Sequence, residues 1–362
     1  MVACFAAIRN SGRPTSRSSP IGVIVRIVMS APGAFPPWFT GGTLVIPATP
    51  PEENFPMNRR HFLAALGSTA VAGGVRGPLI AADAKPAPTN FQIACMTLPY
   101  SKFPLARALE GIKAAGYRHV AWGTTHKEGT ATVPVIARDA APEKAKELAK
   151  RCRGLGLEPV MMFSGTYPES KDGFEVHKQR LLQAGAAGVP QVLTFGHTKG
   201  GNHALWLERF KQLAPIARDN NVLLVVKQHG GETGTGEACA AITREINHPN
   251  IKVNYDAGNV LDYLDKDPIP DIKTCASEVR SFCIKDHRNW PTDQDCGPGL
   301  GEIDHYRLLH PVAFTGLMMP LACENIFAPL VPRPETPEGV DAMAKRAREF
   351  LEIVIAGLQK GM

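Results

Sequence analysis

The run "NVLLVVKQHGG", Asn221 to Gly231, holds five consecutive aliphatic residues and then turns abruptly into a cation, an amide and an imidazole before two glycines. Five apolar residues without polar alternation describe a strand buried on both faces, as in a parallel sheet covered by helices. The polar end is then where the strand leaves the core.

Seven further stretches share this form: 91–98, 119–123, 158–164 and 191–197 before it, and 251–259, 280–287 and 317–325 after it. Amphipathic helical patterns lie between them, among them 105–116, 141–156 and 172–188, which close on Gly116, Gly156 and Gly188. Glycine is the residue that most easily takes the left-handed turn ending a helix. Eight strand-helix units after residue 90 predict an α/β fold, a (β/α)8 TIM barrel in a single domain spanning 85–362. The competing open, doubly wound sheet would bind phosphate at its first strand-helix turn, yet that turn, "TLPYSKFPLA" (97–106), has no glycine-rich fingerprint.

Barrels of this kind assemble their sites from the carboxyl ends of several strands at once. Here those ends carry His197, then Lys227 and His229, then Asp256 and Asn259, then Lys285, Asp286 and His287, then Glu324 and Asn325. Side chains alternate along a strand, so Lys227 and His229 share a face that Gln228 does not. The same rule pairs Asn254 with Asp256, Cys283 with Lys285 and Ala322 with Glu324. The helix-facing side must be apolar, so Lys227, His229, Asp256, Lys285 and Glu324 are expected to converge at the barrel mouth.

The +6 formal charge resides mainly in residues 1–84, where seven arginines face Glu52, Glu53 and Asp83. The remainder is near neutral and has no basic run interleaved with aromatics, which argues against a nucleic-acid partner. None of the eight cysteines forms a C-x-x-C pair, so neither structural zinc nor a disulfide framework is expected. No apolar run reaches the length of a spanning helix. Serine-hydrolase, zincin and P-loop motifs are absent. "GETGTGE" (231–237) has the wrong spacing for a dinucleotide fingerprint and is expected to open the fifth helix, with Thr233 or Thr235 near its cap.

Residues 57–84 combine Arg59-Arg60, an Ala- and Gly-rich apolar stretch and Ala82-Asp83-Ala84, which resembles a twin-arginine-type export signal. Such a signal belongs at an amino terminus. The expectation is therefore translation from Met57, with 1–56 upstream of the true start or disordered, and a mature chain beginning near Lys85 in a periplasm-like compartment. A start further upstream leaves the protein cytoplasmic.

"KQHGG" (227–231), "YDAGN" (255–259), "IKDH" (284–287), "PGLGEIDH" (298–305) and "CEN" (323–325) together resemble the xylose isomerase-like barrels, the sugar phosphate isomerase/epimerase group. The resemblance spans about residues 91–358. It implies a divalent metal held by a Glu on strand five, an Asp on strand six, a His on strand seven and a Glu on strand eight, with the glutamates as acid-base pair. Those positions are Lys227, Asp256, Cys283 and Glu324 here. Asp256 and Glu324 match; Lys227 and Cys283 do not. A protonated lysine repels a dication, so the expectation is that Lys227 supplies the charge a metal would. The resemblance then implies a carbohydrate isomerase or epimerase working by proton transfer beside the carbonyl of a ketose, keto-sugar or inosose. Glu324, Lys227 and Asp256 would carry the chemistry, and His197, His229, Asn259, Lys285, Asp286 and His287 would bind the sugar or cyclitol. A dehydratase or lyase on a keto-polyol, or a barrel that only binds carbohydrate, are the alternatives.

Overall fold

The computed structural model describes residues 87–360. The expected leader (1–56) and export signal (57–84) lie outside the described residues. Eight strands form the barrel: β1 (Asn90–Met96), β2 (His119–Trp122), β3 (Glu158–Phe163), β4 (Gln191–Phe195), β5 (Leu223–Lys227), β6 (Ile251–Tyr255), β7 (Val279–Ile284) and β8 (Met318–Cys323). Each pairs in parallel with its sequence neighbours, and β8 closes on β1, with Asn90 opposite Met318 and Cys95 opposite Cys323. All eight expected strands are present, and the barrel is the predicted one.

Most strands end earlier than the apolar runs suggested. β5 stops at Lys227, and the chain then turns through Gly230 and Gly231 at φ +72° and +49°. A Cβ at Gly230 would run into the Thr198 carbonyl, and one at Gly231 into the carbonyls of His197 and Gly200. Both glycines are thus required for β5 to pass close to the loop after β4. β7 ends at Ile284; Asp286–Arg288 then pairs antiparallel with Gln294–Cys296, a short hairpin that the strand reading to 287 did not foresee.

The helices pack outside the barrel. α1 (Leu105–Ala114), α2 (Pro142–Gly154) and α3 (Gly173–Ala187) fall within the expected spans and are followed by α4 (His203–Asp219) and α5 (Gly236–Ile246); Gly116, Gly156 and Gly188 take the left-handed conformation at the ends of the first three. Thr235 caps the helix Gly236–Ile246 by accepting the Ala238 N–H at 3.0 Å, as anticipated. Trp122, Trp206, Phe210, Tyr255 and Phe282 fill the layer between strands and helices. The barrel interior holds a separate plug in which small Ala94, Ala121 and Ala322 make room for Met96, Met161 and Phe163. That layering of small against large side chains is how a barrel fills its own axis. It leaves the carboxyl end as the place for polar groups.

The seven cysteines of the described residues are buried and free. No helix among these residues is long and apolar enough to cross a membrane.

Candidate functional site

Above the apolar plug, the strand ends surround a cavity of about 390 Å³. Lys227, His229, Asn259, Lys285 and Glu324 all line it. Five of the nine expected residues therefore meet there, and a sixth, Asp256, lies directly beneath.

Lys227 is the last residue of β5 and its side chain is only 3% exposed. Its ammonium donates to both oxygens of Glu324, at 3.0 and 2.9 Å. Asp256 Oδ2 lies 2.9 Å away as an ion pair, and receives no hydrogen bond of its own. The rings of Phe163 and Phe195 close the apolar side, their centroids 5.9 and 5.4 Å from the ammonium. Burial acts against the charged lysine, but the two carboxylates outweigh it and its pKa rises well above the ordinary value. Lys227 is a fixed cation.

Asp256 is held by its own neighbourhood. It follows β6 and caps the helix α6 (Ala257–Leu264), accepting the Asn259 N–H at 3.0 Å. Gln228, on the opposite face of β5 from Lys227, accepts the Asp256 backbone N–H at 2.7 Å, and its carbonyl accepts from Asn259 Nδ2 at 2.7 Å. Burial raises the Asp256 pKa, yet Lys227 and Lys285 outweigh burial and the net direction is downward. Glu324 goes the other way: burial, with the Asp256 charge adding to it, exceeds the pull of Lys227 and Lys285. Two carboxylates sharing one ammonium are thus driven apart in acidity.

Lys285 crosses above the start of α6, where Gly258 leaves space that a Cβ would take from its methylenes. Its ammonium donates to Asp295 Oδ2 at 2.6 Å. Burial opposes its charge, but Asp256, Glu324 and Asp295 together raise its pKa. His229 Nδ1 lies 2.7 Å from the Gly196 carbonyl, which requires a proton on Nδ1 and leaves Nε2 as an acceptor. Burial and then the nearby Lys227 lower its pKa to about 4, so it is neutral at physiological pH. Tyr263 of α6 meets its ring edge-on at 5.3 Å.

Three expected residues do not reach the cavity. His197 is exposed and lies against Tyr167, ring centroids 4.0 Å apart; β4 ends two residues before it, so strand alternation no longer aims it inward. Asp286 is fully buried but turned outward, one residue out of step with Lys285. It accepts the N–H groups of His287, Ile303 and Gly299 at 2.9, 3.0 and 3.0 Å and so anchors the "PGLGEIDH" loop. His287 lies behind the wall, with Nδ1 3.0 Å from Asp295 Oδ1. Asp295 and Tyr263 were missed by the sequence reading. Asp295 sits in a hairpin strand with no repeating pattern, and Tyr263 on a helix face whose partner only the fold reveals.

The donor atoms of Asp256, Cys283 and Glu324 come within 4.8 Å of one another, at three of the four positions where the resemblance implies a divalent metal. Here the Lys227 ammonium stands between the two carboxylates. Burial, which outweighs the pull of Lys227, raises the Cys283 thiol well above its ordinary pKa and keeps it uncharged. A buried ammonium and a neutral thiol do not fit a divalent cation at this point.

An eight-stranded parallel barrel with a charged cluster at its carboxyl end defines an α/β-barrel of the enzyme-bearing type. Residues 109–346 match the family model described as the xylose isomerase-like TIM barrel. The chain belongs to that family. A search of curated proteins finds no match. Among solved structures, it is similar to an L-ribulose 3-epimerase with 18% identity and TM-score 0.57, covering 74% of this chain and 95% of the other. The IOLI protein, solved with a zinc atom, has 16% identity and TM-score 0.59 over 75% and 100% of the two chains. A D-psicose 3-epimerase solved with D-fructose has 12% identity and TM-score 0.55 over 74% and 100%. At these identities the likeness is one of fold.

Proposed function

We propose that the protein is a carbohydrate isomerase or epimerase that moves a proton on the carbon beside a carbonyl, with a ketose, keto-sugar or inosose as substrate. The observation that carries this reading is the Lys227 ammonium bonded to Glu324 at 2.9 Å and paired with Asp256 at 2.9 Å, at the base of a polar cavity. Glu324, with its raised pKa and its place on the cavity wall, takes the proton from carbon and returns it. Asp256 remains an anion and keeps Lys227 charged. The ammonium in turn stabilises the oxygen that becomes an enediolate. A Schiff base at Lys227 is disfavoured, because its amine is held protonated. His229 Nε2 accepts from a substrate hydroxyl, and Asn259 and Lys285 supply further polar contacts.

A second reading draws on the carboxylates that reach the cavity. Of these, Asp295 is committed to Lys285 and His287, which leaves Glu324 as the one free to exchange its proton. A single base on one face suits loss of water from a keto-polyol as well as isomerisation. Incubation of the protein in D₂O with a panel of ketoses, keto-sugars and inososes separates these outcomes. Deuterium at carbon with an isomeric product supports the proposal; a product one water lighter supports the dehydratase; binding without any exchange overturns both.

Export by the twin-arginine route is proposed on Arg59-Arg60 and Ala82-Asp83-Ala84 alone. Amino-terminal sequencing of the native protein should begin near Lys85, and a chain beginning at Met57 or earlier would refute it.

A further inference from the structure

Behind the cavity wall, His287 has oxygen atoms of acceptor groups at both of its ring nitrogens. Its side chain is 1% exposed. Nδ1 lies 3.0 Å from Asp295 Oδ1. That carboxylate oxygen also belongs to the partner of Lys285 and can only accept, so Nδ1 carries the ring proton. Nε2 is the ring atom left to ligate. The atoms it meets are Asn289 Oδ1 at 3.0 Å and Asp293 Oδ1 at 3.3 Å. The Asn289 amide cannot turn its nitrogen inward without losing a bond, because Nδ2 donates to Asp265 Oδ1 at 3.0 Å. In the Nδ1 tautomer, Nε2 and these two oxygens turn their lone pairs toward one point.

Asp262 completes the cluster. It projects from α6, makes no hydrogen bond or ion pair among the described residues, and offers an oxygen within 4.8 Å of the donor atoms of His287 and Asp293. Asp295 stands to His287 as the carboxylate does in carboxylate–histidine–metal arrangements: it fixes the tautomer and aims Nε2 at the ion.

We infer that His287 Nε2, Asp262 and Asp293 form a site for one divalent transition-metal ion, with Asn289 Oδ1 beside it. One imidazole with carboxylate oxygens suits Mn²⁺ or Zn²⁺ better than a purely oxygen-seeking cation. The ion would join two pieces of chain, α6 and the hairpin after β7, whose first strand holds His287 and whose turn holds Asp293. Tyr263 and Asp295, which line the cavity, lie on these two pieces. The site is distinct from the Lys227 cluster and would act as a clasp on the cavity wall, without contact to the reacting carbon.

The test is Mn²⁺ titration of the EDTA-treated full chain, with free Mn²⁺ counted by electron paramagnetic resonance. One ion per chain is expected. Asp262→Asn and Asp293→Asn, both at the solvent side, should each weaken binding by at least roughly tenfold, and Asp295→Asn by about 10–100-fold. Glu324→Gln should leave Mn²⁺ affinity unchanged. Circular dichroism of each variant confirms that it is folded. Absence of stoichiometric binding overturns the proposal. Binding that falls as much in Glu324→Gln as in Asp262→Asn, or that ignores both aspartate variants, overturns it as well.

Discussion

Asp256 and Asp286 follow neighbouring barrel strands, both are completely buried, and both stand in stretches that resemble the same family. They do different work. Asp256 faces a buried ammonium and holds the charge of the cavity base; Asp286 faces three backbone N–H groups and holds a loop. One residue of strand parity separates the two fates, since Asp256 aligns with Asn254 on the inner face while Asp286 follows the inward Lys285. The lesson is that a buried carboxylate identifies itself by its donors. An ammonium at the cavity base places it with the proposed chemistry, and amides make it part of the scaffold.

The comparison can be broken most sharply at Glu324. Glu324→Gln should lower solvent-deuterium exchange by about 10²–10⁴-fold and destabilise less than Lys227→Ala, because Asp256 still pairs with the ammonium, whereas Asp286→Asn should lower the unfolding midpoint and leave exchange nearly unchanged. Equal losses of exchange in the two variants would erase the distinction. Lys227→Ala is expected to destabilise the fold by about 3–5 kcal/mol in urea unfolding, because it strands two buried carboxylates without their cation. Lys227→Met, which keeps the volume, should show the same loss if charge is the cause. Asp286→Ala leaves the buried N–H groups of His287 and Ile303 unsatisfied and should cost about 2 kcal/mol or more, at roughly 1–3 kcal/mol for each. Its effect on ligand binding should follow only from movement of the 298–305 loop.

The smallest effect concerns a buried group outside both clusters. His177 bonds to the Gly173 carbonyl at 2.6 Å and to Thr194 Oγ1 at 2.7 Å, and burial lowers its pKa from 6.5 to about 4. Its unfolded form takes a proton near pH 6.5 and its folded form resists until about pH 4. Stability is therefore full above pH 6.5 and is lost as pH falls towards 4. The loss between pH 6.5 and 5 should be about 2 kcal/mol. His177→Gln should flatten that part of the unfolding profile, and an unchanged slope would refute the assignment.

Legibility followed from how local each feature is. The strand "VLLVV" and the helix ends at Gly116, Gly156 and Gly188 rest on burial and backbone conformation, and both were readable. Convergence of Lys227, Asp256, Lys285 and Glu324 was readable because each is the last residue of its strand or the first beyond it, where alternation still holds. Asp286 was misread against that same alternation, since it follows the inward Lys285 and turns outward, and His197 lies two residues past β4, exposed against Tyr167. The effect of Lys227 on Glu324 was readable only in part. The ion pair was anticipated, but burial and Asp256 turn the net shift upward, and a sequence contains no measure of desolvation.

By itself, then, the sequence determined the barrel and the departure at its centre, since periodicity sets which faces are apolar and Lys227 replaces an acid at a strand end. Only the tertiary structure decided which charges meet. Asp295 reaches Lys285 and His287 through a hairpin, Asp262 approaches His287 from a helix, and Asp256 and Glu324 separate in acidity through their shared cation. Each of these depends on distances between segments far apart in the chain, and on the exclusion of water that comes only with packing.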